Sequence, residues 1–258
     1  MRPVSHPETA TVRVAMWSGP RNLSTAMMRS FENRADCSVV DEPLYAAYLA
    51  ATGLDHPGRD EVVASQPTDP AVVLAELVEG PLATPLQYQK HMTHHLLPGF
   101  VPGGPGGRGG PLGALRHAFL VRDPERVLTS YAKVRDEPTL EDLGLPQQVE
   151  LFETHGGPVV DAADVLRDPR GTLGLLCAAL GLAFDEAMLA WPAGPRGSDG
   201  VWAPHWYAGV EASTGFATDS PGAADPLPDR LRPLLERCRP YYDALAPYRL
   251  SPDTPPTP

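Results

Sequence analysis

The chain has 258 residues, a formal net charge of −11 and a composition rich in proline (31) and glycine (24). That length suffices for one α/β core, and the negative balance excludes nucleic-acid and anionic-membrane binders that rely on a field of Lys and Arg. No stretch approaches the ~18 apolar residues of a membrane span, the first residues lack an apolar signal core, and the three cysteines show neither CxxC nor metal-ligand spacing; the expectation is a soluble, cytoplasmic protein with buried free thiols.

Residues 1–11 and 251–258 are polar and Pro-rich and read as loose tails around one domain, 12–250. VRVAMW (12–17) has the apolar, β-branched character of a strand. It leads through the tight loop SGPRNLST into AMMRSFEN, where Met27, Met28 and Phe31 stand at helical spacing. A helix over 24–33 follows, with Ser24 or Thr25 as its cap. The free amides of that helix start and the donor fork of Arg21 would make an anion site from Gly19, Pro20, Arg21, Asn22, Ser24 and Thr25. The loop lacks the Gly-Lys of the common NTP-binding sequence, because Asn22-Leu23 precedes Ser24. SVVD (38–41) reads as the next strand, and its end, Asp41-Glu42, is where an NTPase presents an acid to Mg²⁺.

Residues 51–69 look like an excursion from the core that could act as a lid, and 70–79 has a helical pattern. The strand LQYQK (86–90) runs into HMTHHLLP, which gathers Lys90, His91, His94 and His95. A histidine suits a general base because its pKa lies near neutrality, and a cation such as Lys90 or Arg21 suits the neutralisation of a leaving oxygen. His91, next to Lys90, is the first candidate base and His95 the second. If the segment were helical, His91 and His95 would share a face as zinc ligands do, but no third ligand stands nearby and no metal is expected. The glycine-rich run 99–113 carries prolines where a phosphate loop needs amide donors, and reads as a surface loop.

HAFLVRDPERVLTSYAKV (117–134) holds the clearest local signal. A strand, 117–121, ends at Arg122; Asp123 is a natural N-cap and Pro124 a natural first residue of a helix over 124–135. Ser130 lies two turns into that helix, so Arg122 and Ser130 can grip one phosphate from two sides. Helices over 146–155, 172–181 and 228–240 and a strand at 158–162 complete the pattern. Strands alternating with helices predict a single three-layer α/β/α domain on a central parallel sheet, with ligands at the carboxyl ends of the strands. Both anion sites then open on one edge, as suits a ligand with phosphates at two ends. Aspartate and glutamate at 41 and 42, Tyr45 and His94 belong to the same edge and are candidates for holding the second substrate. Trp17, Tyr45, Tyr48, Trp202, Trp206 and Tyr207 could stack on a base or wall a cavity for an apolar or aromatic acceptor.

GPRNLST resembles the 5′-phosphosulfate loop of sulfotransferases that use 3′-phosphoadenosine 5′-phosphosulfate (PAPS), and RDPERVLTS resembles their 3′-phosphate motif. RGSDGVWAPHW (196–206) is similar to the family's C-terminal Gly-rich loop, with Arg196, Gly197, Gly200 and Trp202 at matching positions, and VVDAADVLRDP with LCAALGL is similar to its late strand and helix. The likeness extends from about Val12 to Tyr207 and is strongest to bacterial sulfotransferase-like proteins, whose relatives are fused to aminotransferase domains in plants. It implies a P-loop type fold, PAPS as co-substrate, a Lys-x-His element that supplies the base, Arg122, Ser130, Arg196 and Gly197 on the nucleotide, and a small-molecule acceptor sulfated on a hydroxyl or an amine. Leu23 departs from the family, where glycine is usual, and a β-carbon there restricts positive φ. Two rivals stand beside this expectation: a small-molecule P-loop kinase using Mg-ATP, motivated by SVVDEP, and a non-catalytic nucleotide-binding protein of the same fold, motivated by Leu23. Oligomeric state is left open.

Overall fold

The structure is a computed structural model that describes residues 11–101, 110–135, 137–217 and 225–252. The expectations for most of both tails and for the greater part of the Gly-rich loop fall outside these residues.

Strand parity organises the domain. In β1 (Val12–Ser18), Val14 and Met16 enter one core cluster, while Ala15 and Trp17 enter another on the opposite side of the sheet. Such two-sided burial is the mark of a central strand in a parallel sheet. The helix α1 (Ser24–Glu32) lays Met27, Met28 and Phe31 on the first face, and the strand β2 (Cys37–Asp41) follows. Next come α2 (Tyr45–Thr52), α3 (Arg59–Ser65), α4 (Pro70–Glu79) and β3 (Leu86–Met92). The strand β4 (Arg116–Val121) repeats the parity of β1, with Ala118 and Leu120 on one face and Phe119 and Val121 on the other. The chain continues through α5 (Pro124–Tyr131), α6 (Leu140–Leu143), α7 (Leu145–His155), β5 (Val159–Asp161), α8 (Ala162–Arg167) and α9 (Pro169–Ala179). It ends in the short α10 (Ala203–Trp206) and α11 (Ala208–Glu211) and the long α12 (Arg232–Leu245).

The five strands are all parallel in the order β2-β3-β1-β4-β5, with Trp17 beside His91 of β3 and Phe119 of β4. Helices α1, α2 and α9 cover one face; α4 and α7 cover the other. The fold is therefore the three-layer α/β/α arrangement with a parallel sheet that the alternating pattern predicts. Asp123 caps α5 through the amides of Glu125 and Arg126 at 3.0 and 3.2 Å, with Pro124 in the first turn as expected.

Several boundaries differ. The strand expected at 86–90 runs two residues further, to Met92, because parallel pairing with β1 continues to Ser18↔Met92. Helix α5 stops at Tyr131 and not at 135, and the C-terminal helix lies at 232–245 instead of 228–240. The excursion 51–69 contains the end of α2 and the whole of α3. Val62 of α3 is fully buried in the first core cluster, so this segment is packed substructure.

Candidate active site

The carboxyl ends of β1, β2, β3 and β4 open on one cleft of about 680 Å³. One end of it begins at the β1–α1 loop. Gly19 passes so close to α6 that a β-carbon would lie 2.6 Å from the Leu143 carbonyl. Arg21 (φ 61°) and Leu23 (φ 73°) both adopt the left-handed region. Leu23 thus takes the conformation that glycine would take freely, at a cost of ~1–2 kcal/mol. Its side chain packs on the first core cluster, which offsets part of that strain. Ser24 and Thr25 are not caps, contrary to expectation: Leu23 occupies the cap position, and no side chain accepts from the helix start. The first-turn amides are left for an external acceptor, and alternating handedness before them builds an anion-binding concavity. Asn22 is buried and anchors the loop, donating from Nδ2 to the Leu120 carbonyl of β4 at 3.3 Å.

The second anion motif converges on the first. Arg21 Nε donates to Ser130 Oγ at 3.0 Å, and Arg122 Nη1 donates to the Arg21 carbonyl at 2.7 Å. Arg21, Arg122 and Ser130, 109 residues apart at the extremes, thereby stand together on the cleft wall with Pro20, Asn22, Ser24 and Thr25. Arg196 and Gly197 are not brought there. The Arg196 amide donates to Asp199 Oδ2 at 2.7 Å, and that same oxygen accepts from the buried Arg29 of α1 at 2.7 Å. Ser198 is further bonded to Glu32. This loop is pinned to the side of α1, and its arginine and Gly197 do not line the cleft.

At the other end of the cleft lies a buried polar network. Lys90 has no exposed surface, and its ammonium donates to Asp41 at 2.9 Å, Glu42 at 2.6 Å and Tyr207 at 2.5 Å. Tyr207 donates to Asp41 Oδ2 at 2.7 Å while accepting from Trp202 Nε1 at 3.0 Å. Asp41 also accepts from the Gly200 amide at 3.2 Å. Both Asp41 oxygens are thus engaged by donors of the chain itself, which removes the free carboxylate that the Mg²⁺ rival requires. Burial disfavours the charge on Glu42 and pushes its pKa up even against Lys90. For Lys90 the two carboxylates outweigh burial, so its pKa is raised and the ammonium persists. Glu42 sits at φ 41°, a strained position for a residue with a side chain, and it reaches the cleft while Asp41 does not.

The extension of β3 separates the histidines. Lys90 and Met92 face the cleft, whereas His91 faces the opposite layer, stacked on Trp17 at 4.3 Å and held by Gln89 at 3.2 Å. His91 is 1% exposed and burial lowers its pKa to about 3. The first candidate base is therefore sealed away from any ligand, and the helical pairing of His91 with His95 does not exist. His95 and His94, in the single 3₁₀ turn Thr93–His95 after β3, do line the cleft. The His95 ring is sandwiched by Tyr45 at 4.5 Å and Tyr48 at 4.9 Å. Its Nδ1 is enclosed without a hydrogen-bond partner, 3.9 Å from Glu42 Oε2. Burial, reinforced by the neighbouring histidines and Lys90, holds the His95 pKa well below the ordinary value, and burial takes His94 to about 3. Both rings are neutral at physiological pH.

Arg135, from beyond α5, and part of Val210 to Ala217 line the cleft without a local sequence signal, while Leu54 to Pro57 reach it from the excursion and Trp206 is one of the aromatics expected at its wall. Among the described residues no helix is long and apolar enough to cross a membrane.

A family model described as a sulfotransferase domain matches residues 12–248. Two Arabidopsis thaliana proteins, branched-chain-amino-acid aminotransferase-like proteins 1 and 2, are 42% and 38% identical over 207 residues, covering 78% of this chain. The chain spans 36% of the length of each of these relatives. Among solved structures, a sulfotransferase from Alicyclobacillus acidocaldarius superposes with a TM-score of 0.54 at 13% identity, covering 92% of this chain and 95% of that one. The sulfotransferase domain from the curacin biosynthetic pathway gives 0.51 at 16% identity, covering 93% and 99%. These two likenesses agree on the fold.

Proposed function

The chain belongs to the family of sulfotransferase domains, and on that premise we propose that it moves a sulfuryl group from PAPS to a hydroxyl of a small-molecule acceptor, releasing 3′,5′-ADP. The observation that carries this reading is the convergence of Arg21, Arg122 and Ser130 on the uncapped start of α1, at the mouth of a cleft whose far end holds a neutral histidine. Arg21, Arg122, Ser130 and the first amides of α1 are all donors, as a ligand with two anionic ends demands. The cleft volume suits a nucleotide with a small acceptor beside it.

The amides of Ser24, Thr25 and Ala26 with Arg21 would hold the 5′-phosphosulfate, and Arg122 with Ser130 the 3′-phosphate, which ATP lacks. PAPS, when bound, supplies the activated sulfuryl group. The chain's own part is to orient it and to manage one proton. His95 is the base in this reading: Nδ1 lies toward Glu42, so Nε2 is the nitrogen that takes the acceptor's hydroxyl proton. Glu42 then stabilises the imidazolium at Nδ1. Lys90, with its three donors committed to Asp41, Glu42 and Tyr207, holds that end of the cleft in place, and Arg21 is the cation that would balance the negative charge developing on the leaving oxygen.

Arg122→Ala tests the reading by calorimetry with 3′,5′-ADP. Loss of a charge-assisted contact is expected to weaken binding about 10- to 100-fold with little change in melting temperature. Undiminished affinity, or wild-type preference for Mg-ATP over 3′,5′-ADP, would overturn it.

A further inference from the structure

The Tyr45 hydroxyl has a chain of partners that the nucleotide site does not explain. Asp142 is fixed by the α6 capping box, where its Oδ2 accepts from the Thr139 amide at 2.8 Å. Its Oδ1 pairs with Arg135 Nη2 at 3.2 Å. Arg135 Nη1 lies 3.4 Å from His56 Nε2, and His56 Nδ1 lies 2.9 Å from the Tyr45 oxygen.

Donor chemistry sets the direction of this chain. A guanidinium can only donate, so His56 Nε2 accepts and the ring proton resides on Nδ1. Nδ1–H then donates to the Tyr45 oxygen. With its oxygen receiving, the phenol must send its own proton elsewhere. Among the described residues no side chain or carbonyl takes that proton, and Tyr45 lines the cleft. Burial first, and then the proximity of Glu42, push the Tyr45 pKa up, so the proton stays on at any physiological pH. Burial and Arg135 lower the His56 pKa, which keeps that ring neutral.

We propose that Tyr45 is a specificity-determining donor whose proton His56 and Arg135 turn into the cleft, and that the acceptor is an uncharged, largely apolar hydroxy compound bearing a carbonyl-type oxygen. This rests on the sulfotransferase reading of the cleft. The walls around Tyr45 are supplied by Leu54, Pro57, Val134, Trp206, Val210 and Phe216, which favour an apolar body. A carboxylate is disfavoured at that end because Arg135 is already paired with Asp142, while Asp55 and Glu42 line the same cleft. The ring of Tyr45 stacks on His95 at 4.5 Å, so an acceptor bound to the phenol lies beside the base.

The test uses 3- and 4-hydroxyacetophenone against 3- and 4-ethylphenol, pairs that share a two-carbon substituent and differ in the carbonyl oxygen. Binding is measured by calorimetry with and without 3′,5′-ADP, and kcat/KM with PAPS. The wild type is expected to prefer at least one ketone over its ethyl partner by about 3- to 10-fold, the worth of one neutral hydrogen bond. Tyr45→Phe, which keeps the stack on His95, should bring that ratio to about 1 while leaving 3′,5′-ADP affinity unchanged. His56→Leu should reduce the ratio without abolishing it. Equal binding of both members by the wild type, binding of neither, or a preference that survives in Tyr45→Phe would overturn the inference. Failure to bind 3′,5′-ADP is a separate outcome that removes the proposed function, since the phenol comparison without nucleotide is read independently.

Discussion

Acidification from pH 7 to pH 5 is expected to remove a third or more of the folding stability of this protein, for a reason written into its buried histidines. Burial lowers the pKa of His91 and His94 to about 3, and burial with the neighbouring His155 lowers that of His117 to about 4. His117 shows why the neutral form is required: Trp17 Nε1–H donates to its Nδ1 at 2.9 Å, so Nε2 carries the proton and donates to the Leu112 carbonyl at 2.9 Å. A second proton would have to enter the bond that Trp17 already fills. In the unfolded chain each imidazole titrates near 6.5. Stability from a depressed pKa is complete above the unfolded value and is lost as pH falls toward the folded one, so the window here runs from about 6.5 down to about 4 for His117 and about 3 for the others. At pH 5 the unfolded state binds nearly one more proton than the native state at each of the three sites. Integrated from pH 7, that amounts to about 2 kcal/mol per site, or ~5–6 kcal/mol together, against a typical total of ~5–15 kcal/mol. Glu42, whose pKa is pushed up, acts in the opposite sense but is a single group. The assay is urea unfolding followed by far-ultraviolet circular dichroism and tryptophan fluorescence at half-unit pH steps. His91→Phe, which preserves an aromatic ring against Trp17, should flatten the slope by about 1.4 kcal/mol per pH unit within the window. Stability that stays constant between pH 7 and pH 5, or a slope that His91→Phe leaves untouched, would refute the reasoning.

Lys90→Met is expected to destabilise the fold by about 3–5 kcal/mol, because Asp41 and Glu42 are left as uncompensated buried acids; combining it with Asp41→Asn and Glu42→Gln should recover part of that loss in thermal melts, and no recovery would mean the charges are not the cause. His95→Asn should lower kcat by about 100-fold or more while leaving 3′,5′-ADP affinity within about twofold. Since the His95 pKa is held well below its ordinary value, the acid limb of kcat/KM should lie below the ordinary histidine pKa of about 6.5 in the wild type; a limb at or above that value would point to another base.

Much of the scaffold was legible in local pattern. Alternation along VRVAMW and HAFLV identifies strands buried on both faces, and Asp123-Pro124 marks a helix start through steric and hydrogen-bonding rules that act over three residues. Arg21, Arg122 and Ser130 could be read as ligand-facing because strand ends in a parallel sheet share one edge. The assignment of the base was not legible, for side-chain direction along a strand inverts with every residue. Whether Lys90 and His91 share a face or oppose each other depends on where β3 stops, and pairing with β1, not the residues themselves, carries it to Met92. Arg196 shows the same limit from another side. Its motif suggested a nucleotide contact, yet Asp199 ties the loop to a buried arginine on α1, a partner 170 residues away.

What the sequence alone determined about this protein is its layered α/β architecture and the placing of Arg21, Arg122 and Ser130 at one sheet edge, since each depends on neighbours within a few turns of chain. What only the tertiary structure decided is which groups meet. Lys90 finds Tyr207 across 117 residues, His95 finds Glu42 across two strands, and His56 returns from an apparent excursion to set the direction of the Tyr45 proton. Such contacts are set by sheet register and by packing of distant segments, and short-range pattern holds no record of either.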